Sequence, residues 1–378
     1  MTWMEQINIF SGDRIISSIF AGSSMEGLER CLEAYDSVFV VMDRAVAMEC
    51  PSAAVVAEMM NRRGAPGMLV DASEGNKTIE TVMEICAWLL EQGADRDALV
   101  LAVGGGITTD MAGFAASIYK RGVRFAFVPT TLLAQVDAAI GGKTGVNFDS
   151  YKNMLGTIRQ PEFTYLCTEV LESLPQRDFM SGASEMLKTF IIEDGGCYAA
   201  AVDLLYRMQK EYVTESKTWD GCVSAYSYEL QRLIAAAARV KAGVVTRDQF
   251  EKGERRKLNL GHTFAHAIET LAQKHPHDQG VTHGEAVAMG MVLAARLSDR
   301  LYADETETPR TLEAKIKADL LGCGIPCYAP FPIEDMAEIM AKDKKAEGGR
   351  IHFVLPKAIG EVAVCDMTVE EALAILRA

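Results

Sequence analysis

"ALVLAVGGGITTDMAGF", residues 98–114, is the stretch whose reading decides the fold. An apolar run enters Gly104, Gly105 and Gly106, and an apolar helical pattern follows. Glycines at a strand end let the backbone approach a ligand closely, and a helix N-terminus attracts phosphate. The spacing is not GxGxxG, so the usual dinucleotide fingerprint is absent. A plain strand-to-helix turn remains an open alternative.

Outward from this stretch the same pattern recurs. "SVFVVMD" (37–43), "GMLVD" (67–71) and "RFAFVPTT" (124–131) are short apolar runs ending in Asp or Thr, as buried parallel strands do. Between them, "KTIETVMEICAWLL" (77–90) repeats Ile79, Val82, Met83, Cys86, Leu89 and Leu90 at helical spacing. Such alternation predicts an α/β fold with a Rossmann-like, doubly wound parallel sheet and ligands at the carboxyl ends of its strands. Asp43, Glu74 and Lys77 sit at strand ends, where an acid can accept from a ribose. Together they point to an NAD-type ligand, although such residues are usually just solvated.

From about residue 175 the texture changes. Helical patterns dominate: "VSAYSYELQRLIAAAARVKAGVV" (223–245), "GEAVAMGMVLAARLSDRLY" (284–302) and "RTLEAKIKADLLGCG" (310–324). "IHFVLPKAIGEVAV" (351–364) reads as a small strand pair with a turn. The expected organisation is an NAD-binding α/β domain over 1–175 and a mostly α-helical metal- and substrate-binding domain over 176–378, with the active site in the cleft between them.

Composition narrows the function. A chain of 378 residues exceeds one ordinary core. Its 38 basic and 52 acidic residues give a net charge of −14, which argues against nucleic acid as a partner. No run reaches the roughly 20 apolar residues of a membrane span. "MTWMEQINIFSGDR" (1–14) lacks the basic leader and apolar core of a secretory signal. Nine scattered cysteines read as reduced thiols, and a cytoplasmic location is expected.

Cations nevertheless gather in glycine-rich or apolar contexts. Residues 136–156 carry Asp137, Lys143, Lys152 and Asn153. "GASEMLK" (182–188) gives Glu185 and Lys188, "RVKAGVV" (239–245) gives Lys241, and "GERRKLN" (253–259) gives Arg255 and Asn259. In an acidic chain such a set suits an anionic substrate, although each Lys taken singly is more often a solvated tip.

Histidine carries the metal signal. "NLGHTFAHAIE" (259–269) sets His262 and His266 four apart on one helical face, and "THGEAVAMGM" (282–291) adds His283. Five of the six histidines lie between 262 and 283. Glu185, in an apolar stretch, needs a partner, for which a cation is the least costly. A catalytic ion wants about three protein ligands and an open position. The residues alone leave the choice among these four open.

Jointly, "GGGITTDMAGF", "YKRGVRFAFVPTTLLAQVDAAIGGKTGVN", "KNMLG", "LP" with "GASEMLK", "KAGVV", "LNLGHTFAHAIE", "HGEAVAMGM" and "DKK" resemble the 3-dehydroquinate synthase family of sugar phosphate cyclases, in family order from about residue 70 to 345. The resemblance implies a zinc or cobalt ion held by Glu185, His262 and His283, with His266 on the substrate side. It implies NAD against Gly104, Gly105, Gly106, Asp110, Thr130 and Thr131, with Asp43, Glu74 and Lys77 nearer the adenosine and Lys143 and Lys152 bordering the cofactor. The implied substrate is 3-deoxy-D-arabino-heptulosonate 7-phosphate. Lys143, Lys152, Asn153, Asn259, His266 and one of Lys344 and Lys345 would contact phosphate or nearby hydroxyls. Arg255 would hold the carboxylate, and Asp137, Lys188 and Lys241 would line the reacting hydroxyls. Arg121 would reach across a homodimer interface. The implied reaction is a lyase step of the shikimate pathway: transient oxidation by NAD, phosphate elimination, reduction and aldol closure.

The chain departs from the family pattern at Thr109 and Ala265, where Gly is common, and at Arg44 and Ala45, where an Asn usually follows the Asp43 position. "DQFE" (248–251) is a further departure. Rival readings are a sedoheptulose-phosphate cyclase, a glycerol dehydrogenase-like metal enzyme and a non-catalytic NAD-binding regulator. The retained His266, Asn259, Lys241 and Arg255 favour dehydroquinate formation.

Overall fold

The computed structural model describes residues 4–149, 151–274, 280–303, 311–343 and 349–377. His275, His277, Lys344 and Lys345 lie outside them. The chain divides into two compact units, Met1–Phe179 with Lys217–Phe250, and Met180–Ser216 with Glu251–Ala378.

The first unit is built on nine strands. They are β1 (Met4–Ser11), β2 (Arg14–Gly22), β3 (Val38–Asp43), β4 (Gly67–Val70), β5 (Leu99–Gly104), β6 (Arg124–Pro129), β7 (Lys143–Phe148), β8 (Tyr151–Ile158) and β9 (Phe163–Cys167). Seven form one sheet in the order β1-β2-β9-β6-β5-β3-β4. Every pairing in it is parallel except the β1–β2 hairpin. The four strands expected from apolar runs are β3 to β6. The hairpins β1–β2 and β7–β8 give weaker apolar signals, because β1, β2 and β8 are largely exposed or half-buried and β7 and β8 are interrupted by Gly145 and Gly156.

Helices cover the sheet where their apolar stripes demand it. The helix Ile79–Glu91 starts at Thr78, whose side chain accepts from Thr81 N, and it buries Val82, Ile85 and Leu89. Met83 and Leu90, assigned to that stripe from spacing, are exposed. Below it Phe39, Val41, Val100, Ala102, Met111, Phe125 and Phe127 form the core. The register pairs Asp43 with Val70 and Gly104 with Pro129, so these strands end together.

One organisational expectation is corrected. The pattern over 223–245 is two helices, Trp219–Ala225 and Ser227–Arg247, and both belong with the first unit. The longer helix is anchored on the β1–β2 hairpin: Arg239 pairs with Glu5, Phe10 N donates to Thr246 Oγ1 at 3.2 Å, and Gln231 donates to the Ala21 carbonyl at 3.4 Å. Helical texture alone cannot reveal a partner far away in sequence.

The second unit is mainly helical, with one small antiparallel pair, β10 (Ile351–Ala358) and β11 (Glu361–Met367), as the sequence indicated. Its helix His283–Leu301 opens with a capping box between Thr282 and Glu285 and is buried on nearly every face. Among the described residues no helix is long and apolar enough to cross a membrane.

Candidate active site

The helix Gln176–Glu193 carries Glu185 and Lys188, both in the second unit and three residues apart, so both face one way. Both side chains are buried, and Lys188 Nζ lies 2.5 Å from Glu185 Oε2. The other carboxylate oxygen faces two imidazoles. Oε1 is 3.1 Å from His283 Nε2 and 3.7 Å from His262 Nε2.

Backbone geometry aims these rings. His262 opens the helix His262–Lys274 directly after Gly261, whose φ is +78°. A side chain there would be strained and would meet Met291 N at 2.9 Å. A Cβ on Gly290 would lie 2.1 Å from the Gly261 carbonyl oxygen, so the two segments touch through bare backbone. That approach brings the His262 and His283 rings to 5.3 Å between centroids. His262 Nδ1 lies 3.2 Å from the Leu260 carbonyl, which makes Nδ1 the protonated nitrogen and leaves the Nε2 lone pair toward Glu185.

Ligand atoms of Glu185, His262 and His283 all lie within 4.8 Å of one another. Two imidazole nitrogens turned to one carboxylate oxygen is an arrangement that a divalent cation satisfies. Electrostatics agree at His262 and Glu185. Burial drives His262 down to about 3, with Lys188 adding to the effect, so it is a neutral ligand at physiological pH. Burial raises the Glu185 pKa, but Lys188 and then the two histidines outweigh it and hold the carboxyl well below the usual range. Burial also disfavours the charged ring of His283, yet Glu185 and Glu269 hold it up to about 10.

The other called residues of this unit divide. His266 is exposed, its ring 5.7 Å from that of His262, and it is not in the three-ligand group. Arg255 is buried, whereas Asn259 is exposed and donates to Glu251 at 2.8 Å. Ala265 is fully buried inside its helix.

In the first unit, the turn at Gly104 closes on itself. A Cβ there would lie 2.4 Å from Thr108 Oγ1, so glycine is required. Gly105 caps the helix Gly106–Ile118, and Thr130 N donates to the Gly104 carbonyl at 2.9 Å. Thr130 Oγ1 is buried with no partner among the described residues, while Thr131 Oγ1 accepts from Ala134 N. A long helix N-terminus beside a glycine turn and an unsatisfied hydroxyl fits a dinucleotide pyrophosphate. Thr109, the family departure, is buried and turns its hydroxyl back to the Gly106 carbonyl at 3.0 Å.

Beside this turn a polar network forms. Buried Lys77 donates to Asp110 and to Asn153 Oδ1, each at 2.6 Å. Burial pushes Asp110 up to about 6, against the pull of Lys77. Asn153 has φ +55°, and its N–H donates to Asn147 Oδ1 at 2.9 Å. Asn147 in turn donates to Glu74 Oε1 at 2.8 Å, and its N–H bonds the Lys77 carbonyl. Asn147 was missed in the sequence, because its role depends on a hairpin with no strong strand signal. Asp43 Oδ1 accepts from Ala45 N at 3.1 Å, and the departing residue Arg44 pairs with Asp71 at 2.7 Å.

A second pair joins Lys241 to Asp137. Lys241 is buried and donates to the Asp137 carboxylate at 2.5 Å and to its carbonyl at 2.7 Å. Asp137 lies in a short π-turn, Ala134–Ala138, of the kind frequent at functional sites. Lys143 and Lys152 are exposed on the β7–β8 hairpin. Arg121 is exposed in a turn where Lys120 and Arg121 both have positive φ, 49° and 69°.

The family profile of the 3-dehydroquinate synthase N-terminal domain matches residues 67–181, and that of the C-terminal domain matches 182–346. A 3-dehydroquinate synthase of Acidithiobacillus ferrooxidans is 40% identical over 298 residues, covering 79% of this chain and 76% of its own. One of Halorhodospira halophila is 40% identical over 342 residues, covering 88% and 89%. Among solved structures, the 2-epi-5-epi-valiolone synthase ValA of Streptomyces hygroscopicus, with NAD+ and Zn2+ bound, is similar at a TM-score of 0.77 and 26% identity, covering 98% of this chain and 99% of its own.

Proposed function

The chain belongs to the 3-dehydroquinate synthase family, and we propose that it converts 3-deoxy-D-arabino-heptulosonate 7-phosphate to 3-dehydroquinate and phosphate, a step of the shikimate pathway. The observation that carries this is the grouping of Glu185, His262 and His283 within 4.8 Å, with buried Lys188 against the carboxylate. In this reading the first unit binds NAD, and the second holds one zinc or cobalt ion through those three residues.

When bound, NAD supplies a reversible hydride acceptor and the ion draws charge from the reacting hydroxyl. The chain's own residues do the rest. Arg255 receives the substrate carboxylate through its planar fork. Lys143, Lys152, Asn153, Asn259 and His266 neutralise the phosphate and orient the hydroxyls near it. Lys241, held by Asp137, and Lys188, held by Glu185, are buried amines that can carry or receive a proton at the reacting hydroxyls. Positioning and charge neutralisation are most of what such a reaction needs from protein.

Lys77 anchors the cofactor side through Asp110 and Asn153, with Glu74 and Asp43 nearer the adenosine. Gly104, Gly105, Gly106, Thr130 and Thr131 take the pyrophosphate. Arg121, exposed in a turn with positive φ, serves a partner copy in a homodimer. Nine cysteines, none of them in a disulfide among the described residues, suit a cytoplasmic enzyme.

The deciding experiment incubates the chain, NAD and Co2+ with heptulosonate phosphate and with sedoheptulose phosphate side by side. Phosphate release and a carbocycle of dehydroquinate mass from the first alone are expected. Turnover only of the second would assign the chain to another cyclase of the superfamily, the reading that the likeness to the valiolone synthase keeps in view. Net NADH accumulation from a simple alcohol would point to a dehydrogenase.

A further inference from the structure

His283 stands between two carboxylates. Its Nε2 faces Glu185 Oε1 at 3.1 Å, and its Nδ1 faces Glu269 Oε1 at 3.4 Å. Glu269 is seven residues after His262 on the same helix, two turns along, so both project from one face. Only 11% of its side chain is exposed, and a carboxylate so placed needs a donor. The Nδ1–H of His283 supplies one.

We infer that Glu269 is a positioning residue for the metal. It fixes His283 in the tautomer that keeps its proton on Nδ1 and presents the Nε2 lone pair beside Glu185. The other tautomer would point an N–H at the ion and could not ligate it. The carboxylate also makes the ring a stronger donor. The two histidines are thus oriented by different acceptors: His262 by the Leu260 carbonyl and His283 by Glu269. Helix His262–Lys274 thereby supplies one ligand and the orienting group of another. This rests on the metal site proposed above, and it adds a role for a residue outside the ligand set.

The test uses metal-stripped full-length protein titrated with Co2+, followed by visible absorption and chelator competition. Glu269→Ala is expected to weaken Co2+ binding by about 10- to 100-fold and to shift the Co2+ absorption bands. Glu269→Gln keeps an acceptor oxygen at the same reach and is expected to recover most of the affinity and the parent spectrum. Parent affinity and spectrum in Glu269→Ala would overturn the role, as would a Gln variant no better than Ala. A parent chain that takes up no Co2+ would sink the metal reading itself along with this one.

Discussion

Lys188 places its ammonium 2.5 Å from Glu185 Oε2, and both side chains are sealed from solvent. Glu185 is therefore held on one side by a fixed cation, while its other oxygen is turned to His262 and His283. Replacing Lys188 with Met keeps the volume and removes the charge. Breaking a buried pair from one side costs about 3–5 kcal/mol. The metal-free variant is expected to unfold at lower denaturant by that amount, and Zn2+ is expected to restore more stability to it than to the parent. Denaturant melts with and without chelator check this; an equal gain in both proteins contradicts it.

The ligand assignment separates two histidines that sequence spacing treats alike. His283→Ala is expected to strip the ion and abolish turnover. His266→Ala is expected to retain the ion and chiefly to raise KM, because His266 is exposed and outside the ligand group. Metal content by elemental analysis decides, and a fully loaded His283→Ala protein would refute the assignment.

Gly261 carries the backbone that aims His262. A Gly261→Ala change places a Cβ at φ +78° and 2.9 Å from Met291 N. The left-handed conformation alone costs about 1–2 kcal/mol, and the contact with backbone adds to it. Reduced stability together with weaker Co2+ binding is expected in thermal melts and metal titration. Unchanged metal affinity would show that the approach of the two segments does not aim the ring.

Asp110 provides a pH test in the first unit. Its folded pKa is raised from 3.8 to about 6. The folded state therefore binds the proton more tightly than the unfolded chain. Stability from this group is full below 3.8, is lost as pH rises toward 6, and stays level above. At about 1.36 kcal/mol per pH unit the loss is on the order of 3 kcal/mol. Asp110→Asn, which cannot ionise, is expected to lack this slope. Parallel melts of variant and parent from pH 4 to 7 read the difference.

Thr109 tests whether the departure beside the glycine turn matters. Its hydroxyl is already bonded to the Gly106 carbonyl at 3.0 Å, directed into its own helical turn. Thr109→Gly is expected to leave the NAD dissociation constant within about twofold and to cost about 1 kcal/mol of stability through helix propensity and lost packing. A marked tightening of NAD binding, measured by fluorescence titration, would show that the side chain obstructs the cofactor.

By itself the sequence determined much of the architecture and the residue types of the chemistry. Strands β3 to β6 are apolar runs long enough to be buried on both faces, and burial is what period and run length encode. The family resemblance implied Glu185, His262 and His283 together, where the residues alone left the choice among these three and His266 open. Tertiary structure decided what depends on partners far along the chain. The helix Ser227–Arg247 joined the first unit because its contacts are with the β1–β2 hairpin. Asn147 became the brace of Asn153, and Glu269 the neighbour of His283, through side chains that no local pattern marks. Local sequence carries periodicity, which sets element type. Which polar atoms meet at 3 Å across a fold depends on backbone approach, such as that of Gly261 and Gly290, and only the packed chain supplies it.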